Sequence, residues 1–402
     1  MVRVAIIGGK LQGTEAVYLA KKAGFFSVLI DKTDCPAMGM CDDFFQIDVR
    51  EKSEFLVEKL KSCDFILPAT ENIDALNAVR QLQKAHRLNV AFDFDAYGIS
   101  SSKLRSDEFF HKHNIPAPRY FPEGNPPYIA KISEGSSSKG VRMLVTEGEV
   151  SDFWERTEDK VSGLSERTGC EVSALLEKTE GGRWVVQEYL EGRAYSIEVI
   201  GSPGRYKAYQ VTEILVDKDY DCCLVTCPCP DVDTKAFSGM AIKIAELIQL
   251  KGIMDVEAIC HNGILKVLEI DARLPSQTPT AVLRSTGVNF LTELHRLFCG
   301  DWAAANEAAV FEHEKAVAYE HIYATAGGIK LCGEGIMGQC NPLLLHKNLF
   351  GADEAITDFK ALENKLYATI INSADSMEQL KQKRQAVWNT AAETLNKDAL
   401  LH

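Results

Sequence analysis

Over the first hundred residues, short apolar runs bounded by turn residues alternate with amphipathic stretches. V-R-V-A-I-I, S-V-L-I-D, D-F-I-L-P-A and V-A-F-D-F read as strands, with helices over 14–23 and 73–85 among the segments between them. Apolar strands joined by helical crossovers imply a parallel sheet covered on both faces, hence a Rossmann-like domain over residues 1–100. Residues 115–127 turn proline-rich (I-P-A-P-R-Y-F-P-E-G-N-P-P), which fits a connection between domains.

Beyond that point the pattern changes. Y-I-A-K-I, V-R-M-L-V-T, W-V-V-Q-E-Y-L, A-Y-S-I-E-V-I, K-A-Y-Q-V-T-E-I-L-V, I-M-D-V-E-A-I and L-K-V-L-E-I-D read as strands. Tight turns such as S-P-G and H-N-G join some of them, so antiparallel sheet is expected. Residues 147–182 form an acidic, helix-prone stretch, and the last ninety residues read as further strands followed by an amphipathic helix over 377–395. The expected class is α/β (α+β overall). A parallel-sheet domain would be followed by an antiparallel α+β domain over 101–310, with a lid subdomain at 121–186. A small β-rich domain over 311–402 would end in a helix.

Composition changes this picture little. The 402 residues are 46% hydrophobic and 25% charged, an ordinary balance that argues against long disorder. The 57 acidic side chains outnumber the 44 Lys and Arg, giving −13, a surface that repels nucleic acid and is compatible with small cationic substrates. No apolar run is long enough to cross a bilayer, and the chain starts directly on a strand rather than on a signal peptide, so a cytoplasmic protein is expected. The 12 cysteines are scattered, as for reduced thiols; Cys222, Cys223, Cys227 and Cys229 lack the paired C-x-x-C spacing of a zinc knuckle.

The loop G-G-K-L-Q-G after the first strand invites a dinucleotide reading, with Asp31 as ribose ligand. That fingerprint needs a glycine at its third position for close approach of a pyrophosphate, and Lys10 stands there. A tight turn that lets the first helix pack on the sheet is the preferred reading.

The chemistry concentrates in M-D-V-E-A-I-C-H-N-G-I-L-K-V-L-E-I-D-A-R. A three-residue H-N-G loop with Gly263 left-handed would pair Glu257 with Val267. Glu257, Glu269, Asp271 and Arg273 would then project from one face. Carboxylates of this kind suit magnesium bridging nucleotide phosphates, and an arginine beside them can hold a transferring phosphoryl group. Lys131 ends a strand and leads into the small-residue loop E-G-S-S-S-K-G, whose backbone could wrap phosphate oxygens; Lys103, near the start of a helix, is a second cation.

The order lysine, strand-end lysine, small-residue loop, V-V-Q-E-Y-L-E-G, D-V-E and L-E-I-D-A-R resembles the ATP-grasp ligases. The resemblance implies ATP and two Mg2+ ions, with Lys103 and Lys131 on the α- and β-phosphates. It further implies that the loop containing Ser136, Ser137, Ser138 and Gly140 closes over the triphosphate. Gln187, Glu188, Tyr189 and Leu190 would line the adenine, Glu191 would lie near the ribose, and Glu257, Glu269 and Asp271 would hold the metal. Lys131, Glu269 and Arg273 would carry the catalytic charge. Within that superfamily G-G-K-L-Q-G, K-G-I-M-D-V-E-A-I and R-L-P-S-Q-T-P-T are similar to the family that joins 3-methyl-D-ornithine to the ε-amine of L-lysine in pyrrolysine biosynthesis. Substrate contacts would come from Ser196, Glu198 and Asp221, with Arg273, Ser276, Gln277 and Thr278 around the reacting carboxylate; a homodimer is implied. Two departures stand out: 147–182 is longer than usual, and Cys223 occupies a position where histidine is expected. The rival readings are an ATP-grasp ligase for other amino acids, a nicotinamide dehydrogenase of lysine-like amino acids and a non-catalytic nucleotide sensor.

Overall fold

The computed structural model describes residues 1–133, 141–158, 184–300, 302, 314–325, 328–340, 342–359 and 365–399. The chain divides into two compact units. One comprises Met1–Phe94, Ser196–Asp255 and Ala272–His402, the other Asp95–Tyr195 and Val256–Asp271.

In the first unit a parallel sheet runs in the order Asp43–Gln46, Phe26–Asp31, Arg3–Ile7, Phe65–Pro68. Its central strands carry continuous apolar runs because both faces are buried there: Val4, Ala5, Ile6 and Leu29, with Phe65 on the next strand, have no or almost no exposed surface. V-A-F-D-F differs from expectation. It contributes only a parallel bridge from Val90 to Ile66 before the chain turns into the helix Phe94–Ser100. The edge strand is instead Asp43–Gln46, where the neighbouring Asp42 carboxylate accepts from Ser27 N and Oγ, both at 2.8 Å. A half-exposed edge strand carries no continuous apolar run, which is why its sequence does not announce it.

The glycine loop behaves as a packing device. Gly8 has φ 101°, and a Cβ on Gly13 would lie 2.1 Å from Gly8 O, so the first helix, Leu11–Ala23, sits directly on the loop. Gly9 N donates to Asp31 Oδ2 at 2.8 Å and Thr33 N to Asp31 Oδ1 at 3.2 Å, which commits that carboxylate to the turn.

The same unit holds an antiparallel sheet that runs through Thr212–Val216, Cys222–Cys227, Ala316–Thr325, Lys365–Ala374, Glu354–Thr357 and Leu344–Lys347. The C-terminal strands thus extend the sheet of the central segment. Helix Met377–Ala399 packs on it through Leu380, Val387 and Leu395, all at most 1% exposed. Arg384 clamps the helix by donating from Nε (3.1 Å) and Nη2 (2.6 Å) to the buried Glu320 carboxylate.

The second unit contains a three-stranded antiparallel sheet ordered Arg142–Leu144, Tyr128–Ile132, Trp184–Glu188. Helix Glu147–Glu158 covers it with Val150 and Phe153, the latter edge-on to Trp184 at 5.1 Å. The hairpin of Gly252–His261 and Ile264–Asp271 ends in this unit. Its turn is a two-residue one, with Asn262 at φ 51° and Gly263 at φ 78°. Two consecutive left-handed residues define a type I′ turn, which Asn-Gly favours because its twist matches the strands. The expected three-residue loop is therefore corrected, and the pairing moves by one residue, so simple alternation does not place Glu257 beside Glu269. Burial along the second strand skips from Val267 to Ile270, three positions instead of two, which marks a local break in alternation. Among the described residues no helix is long and apolar enough to cross a membrane.

Candidate active site

In the second unit two lysines are brought together by a serine stitch. Ser102 caps helix Lys103–Lys112, accepting from Arg105 N, and its hydroxyl lies 3.1 Å from Ser133 Oγ. Lys103 N donates to Ser133 O at 3.1 Å and Leu104 N to Ser133 Oγ at 3.2 Å. Ser133 directly follows strand Tyr128–Ile132, so the helix start carrying Lys103 is tied to the strand end carrying Lys131.

Lys103 Nζ donates to Glu269 Oε1 at 3.1 Å. Burial works against its charge, but Glu269, then Asp271 and Glu257, outweigh it and raise its pKa. Lys131 shows the opposite balance: burial lowers its pKa, and the pull of Asp107 and Glu269 does not compensate. Asp107, one helical turn after Lys103, accepts from Gln187 Nε2 at 2.8 Å, and its own pKa is raised by burial. Asp107 was missed by sequence reasoning, although the lysine-aspartate spacing of four puts both on one helix face. The result is two lysines and four carboxylates sharing one field, an acid-rich cluster that suits divalent cations, with the lysines placed to meet phosphate oxygens.

The donor set suits magnesium in part. Among the described residues no three acidic, histidine or cysteine side chains already form a metal cage. Magnesium, however, is commonly held by one or two carboxylates with water and substrate phosphates completing the octahedron. Glu257, Glu269 and Asp271 offer the hard oxygens for that arrangement, and Glu269 is bonded to a lysine that can transfer its attention to a phosphate.

The strand expected to line the adenine is rigidly fixed. Glu188 N donates to Arg119 O and Tyr189 N to Pro127 O, both at 2.8 Å. The Glu188 carboxylate, 7% exposed, accepts from Arg119 N and Nε at 3.1 Å, from Arg119 Nη2 at 3.0 Å and from Lys266 Nζ at 2.7 Å. Burial alone would raise its pKa; the Lys266 and Arg119 hydrogen bonds prevail and hold it down to about 2. Leu190 is buried, whereas Glu191 is exposed and its carbonyl lies 2.8 Å from His261 Nδ1. Ser136, Ser137, Ser138 and Gly140 lie outside the described residues, as does most of the 147–182 stretch.

The remaining expected contacts lie in the first unit. Arg273 pairs with Glu71 at 2.6 Å, and Gln12 Nε2 donates to the same carboxylate at 2.6 Å. Ser276 Oγ (3.0 Å) and Gln277 Nε2 (2.5 Å) both donate to Glu334 Oε2. Gln277 adopts φ 76°, an unfavourable value for a residue with a Cβ, directly before helix Thr278–Thr286. Thr278 is buried beside it, and Ser196 and Glu198 are fully buried on strand Arg193–Ser202. Asp221 N donates to Asp217 Oδ1 at 3.2 Å, and Gly333 N donates to Asp217 Oδ2 at 3.0 Å. Sequence reasoning missed Glu334 and Glu15. Glu15 is legible in retrospect as an acid on the buried face of the first helix; Glu334 sits in a short 3-10 turn with no periodic signal. The cysteine cluster holds free thiols, with Cys227 and Cys229 donating to the carbonyls of Ala281 and Val211.

A model of the ATP-grasp domain matches residues 100–277. The chain is 37% identical to the 3-methyl-D-ornithine–L-lysine ligase of Methanosarcina acetivorans over 85% of each chain, and 36% identical to that of Methanosarcina mazei over 84% of this chain and 82% of the other. Its fold is similar to the biotin carboxylase of Campylobacter jejuni, with TM-score 0.70 and 12% identity over 99% of this chain and 95% of that one. It is also similar to N5-carboxyaminoimidazole synthetase of Staphylococcus aureus complexed with ADP, with TM-score 0.64 and 16% identity over 96% and 97% of the two chains.

Proposed function

The chain belongs to the 3-methyl-D-ornithine–L-lysine ligase family of ATP-grasp enzymes, and on that premise we propose that it joins 3-methyl-D-ornithine to the ε-amine of L-lysine at the expense of ATP. The observation that supports this chemistry is the Lys103–Glu269 pair beside the desolvated Lys131, with Asp271 and Glu257 in the same field.

A carboxylate oxygen of the ornithine substrate attacks the γ-phosphorus, and ADP leaves. Transfer of this kind is catalysed chiefly by positioning and charge, so Lys103, Lys131 and Arg273 act by holding phosphoryl and carboxylate oxygens and neutralising their charge. Two magnesium ions held by Glu257, Glu269 and Asp271 would supply further neutralisation of the phosphates. The neutral ε-amine of lysine then attacks the acyl carbon of the acyl phosphate, phosphate leaves, and the amide nitrogen gives up a proton. The backbone of Gln187, Glu188, Tyr189 and Leu190 receives the adenine, with Glu191 near the ribose. Ser196, Glu198 and Asp221 contact the diamino acid, with Ser276, Gln277 and Thr278 near its carboxylate. The protein acts in the cytoplasm on small amino acids, as a homodimer, without nucleic acid or membrane.

The test is mass spectrometry of a mixture of protein, ATP, magnesium, D-ornithine and L-lysine, with nucleotide products followed alongside. The expected product is heavier than ornithine by lysine minus water and forms together with ADP. AMP formation would refute the acyl-phosphate route, and ADP without a condensed product would refute the substrate pair.

A further inference from the structure

The Asn-Gly turn of the hairpin in the second unit carries a contact that turn geometry does not require. His261, the last residue before the turn, places its Nδ1 2.8 Å from the carbonyl oxygen of Glu191, 70 residues away in sequence. On the other side of the ring, Asn262 Nδ2 lies 3.0 Å from His261 Nε2. A carbonyl oxygen only accepts and an amide nitrogen only donates. Both bonds therefore call for the same tautomer, with the proton on Nδ1 and the lone pair on Nε2.

A second observation joins the same two segments without using any side chain of the turn. Gly192, next to Glu191, packs against the end of strand Gly252–His261. A Cβ there would overlap Cys260 O and lie 2.9 Å from Ile259 Cγ2, so only glycine lets the two backbones meet. Both segments belong to the second unit. Residues 188–192 are thus pinned at both ends. Glu188 N and Tyr189 N donate to the carbonyls of Arg119 and Pro127, and beyond Leu190 the chain is held by His261 and Cys260. The Glu191 side chain is left exposed on this fixed backbone. A flexible glutamate loses conformational freedom when it grips a ligand, and a main chain fixed in advance removes part of that cost.

We propose that His261 is a positioning residue for the nucleotide: by donating to Glu191 O it holds that residue's main chain so that the Glu191 carboxylate meets the ribose hydroxyls of ATP. The chemistry is matched, because a carboxylate accepts and the two hydroxyls donate. The inference rests on the ribose contact given to Glu191 in the ligase reading above; the His261 bond and the Gly192 contact stand without it. The effect of removing His261 is then confined to nucleotides that carry those hydroxyls.

The experiment is calorimetric binding of ATP and of 2′,3′-dideoxy-ATP, which lacks both hydroxyls, each with magnesium, to wild type, His261→Ala and His261→Asn. Asparagine carries Nδ2 close to where histidine carries Nδ1, so it can donate to the same carbonyl. His261→Ala should weaken ATP about 5-fold, the size of one hydrogen bond, and change dideoxy-ATP by less than about 2-fold. His261→Asn should recover ATP binding to within about 2-fold of wild type, with the unfolding midpoints of both variants preserved. A merely structural turn would weaken both nucleotides equally, and that result overturns the assignment. Unchanged ATP binding in His261→Ala, or a loss that His261→Asn does not recover, overturns it as well. Wild type that binds both nucleotides equally removes the ribose contact of Glu191 and the proposal with it, leaving the phosphate chemistry of Lys103, Lys131 and Glu269 intact. Wild type that discriminates, with His261→Ala discriminating equally well, keeps the ribose contact and removes His261 alone.

Discussion

Glu188 allows a stability prediction to be worked through from the geometry. Its carboxylate closes the strand Trp184–Glu188 against Arg119 and Lys266, with four donors within 3.1 Å. Its pKa falls from 4.5 to about 2 on folding. That difference, about 2.5 units at 1.36 kcal/mol each, corresponds to about 3 kcal/mol of stability at neutral pH. Because the folded value is the lower one, the contribution is complete above the unfolded pKa of about 4.5 and is lost as pH falls toward 2; at pH 3 about 1.4 kcal/mol of it remains. Glu188→Gln should therefore destabilise the protein by about 2–3 kcal/mol at pH 7, a typical cost of breaking a buried charge pair at one end. The gap to wild type should shrink by more than half at pH 3. Urea unfolding followed by tryptophan fluorescence is a direct assay, since Trp184 begins the same strand. A gap that does not change between pH 7 and pH 3, or one below about 0.5 kcal/mol at pH 7, would refute the reasoning.

Three further outcomes are expected. Glu269→Gln should lower ADP formation by about 100-fold or more with the unfolding midpoint preserved, and near-normal turnover would remove Glu269 from the metal and phosphate site. Glu198→Gln should spare ATP binding and raise KM for the ornithine substrate; an unchanged KM would take it off the substrate contacts. Glu15 has the opposite pH behaviour to Glu188: its folded pKa of about 7 lies above 4.5, so stability is greatest below pH 4.5 and declines as pH rises through 7. Glu15→Gln should accordingly be up to about 3 kcal/mol more stable than wild type at pH 8 and indistinguishable near pH 4 in thermal unfolding; an equal effect at both pH values would contradict the assignment.

Much of the protein was legible from local pattern alone. The first strand and helix, the glycine loop as a packing turn, the antiparallel strands and the C-terminal helix follow from periodicity and turn residues, because burial on one or two faces writes itself into the sequence. The two lysines and the acidic hairpin were recognisable because charge at otherwise apolar positions needs partners. The edge strand Asp43–Gln46 was not visible, since an edge needs no apolar face. The hairpin turn was misjudged by one residue, and that single residue decides which side chains share a face, so register belonged to the folded structure.

Tertiary structure alone decided the rest. The second unit is discontinuous in sequence, its sheet at 128–188 and its hairpin end at 256–271 being separated by a long excursion into the first unit, which no linear reading of composition reveals. Asp107 reaches Gln187 across 80 residues, Glu15 meets Thr280 across 265, and Ser276 meets Glu334 across 58. A lone acid carries no local signature of its partner, because its hydrogen bonds and desolvation are set by whatever the fold brings opposite it. The sequence therefore determined which chemistry the chain could perform, and the packing of distant segments determined which carboxylates are charged, which are buried, and where a cation can be received.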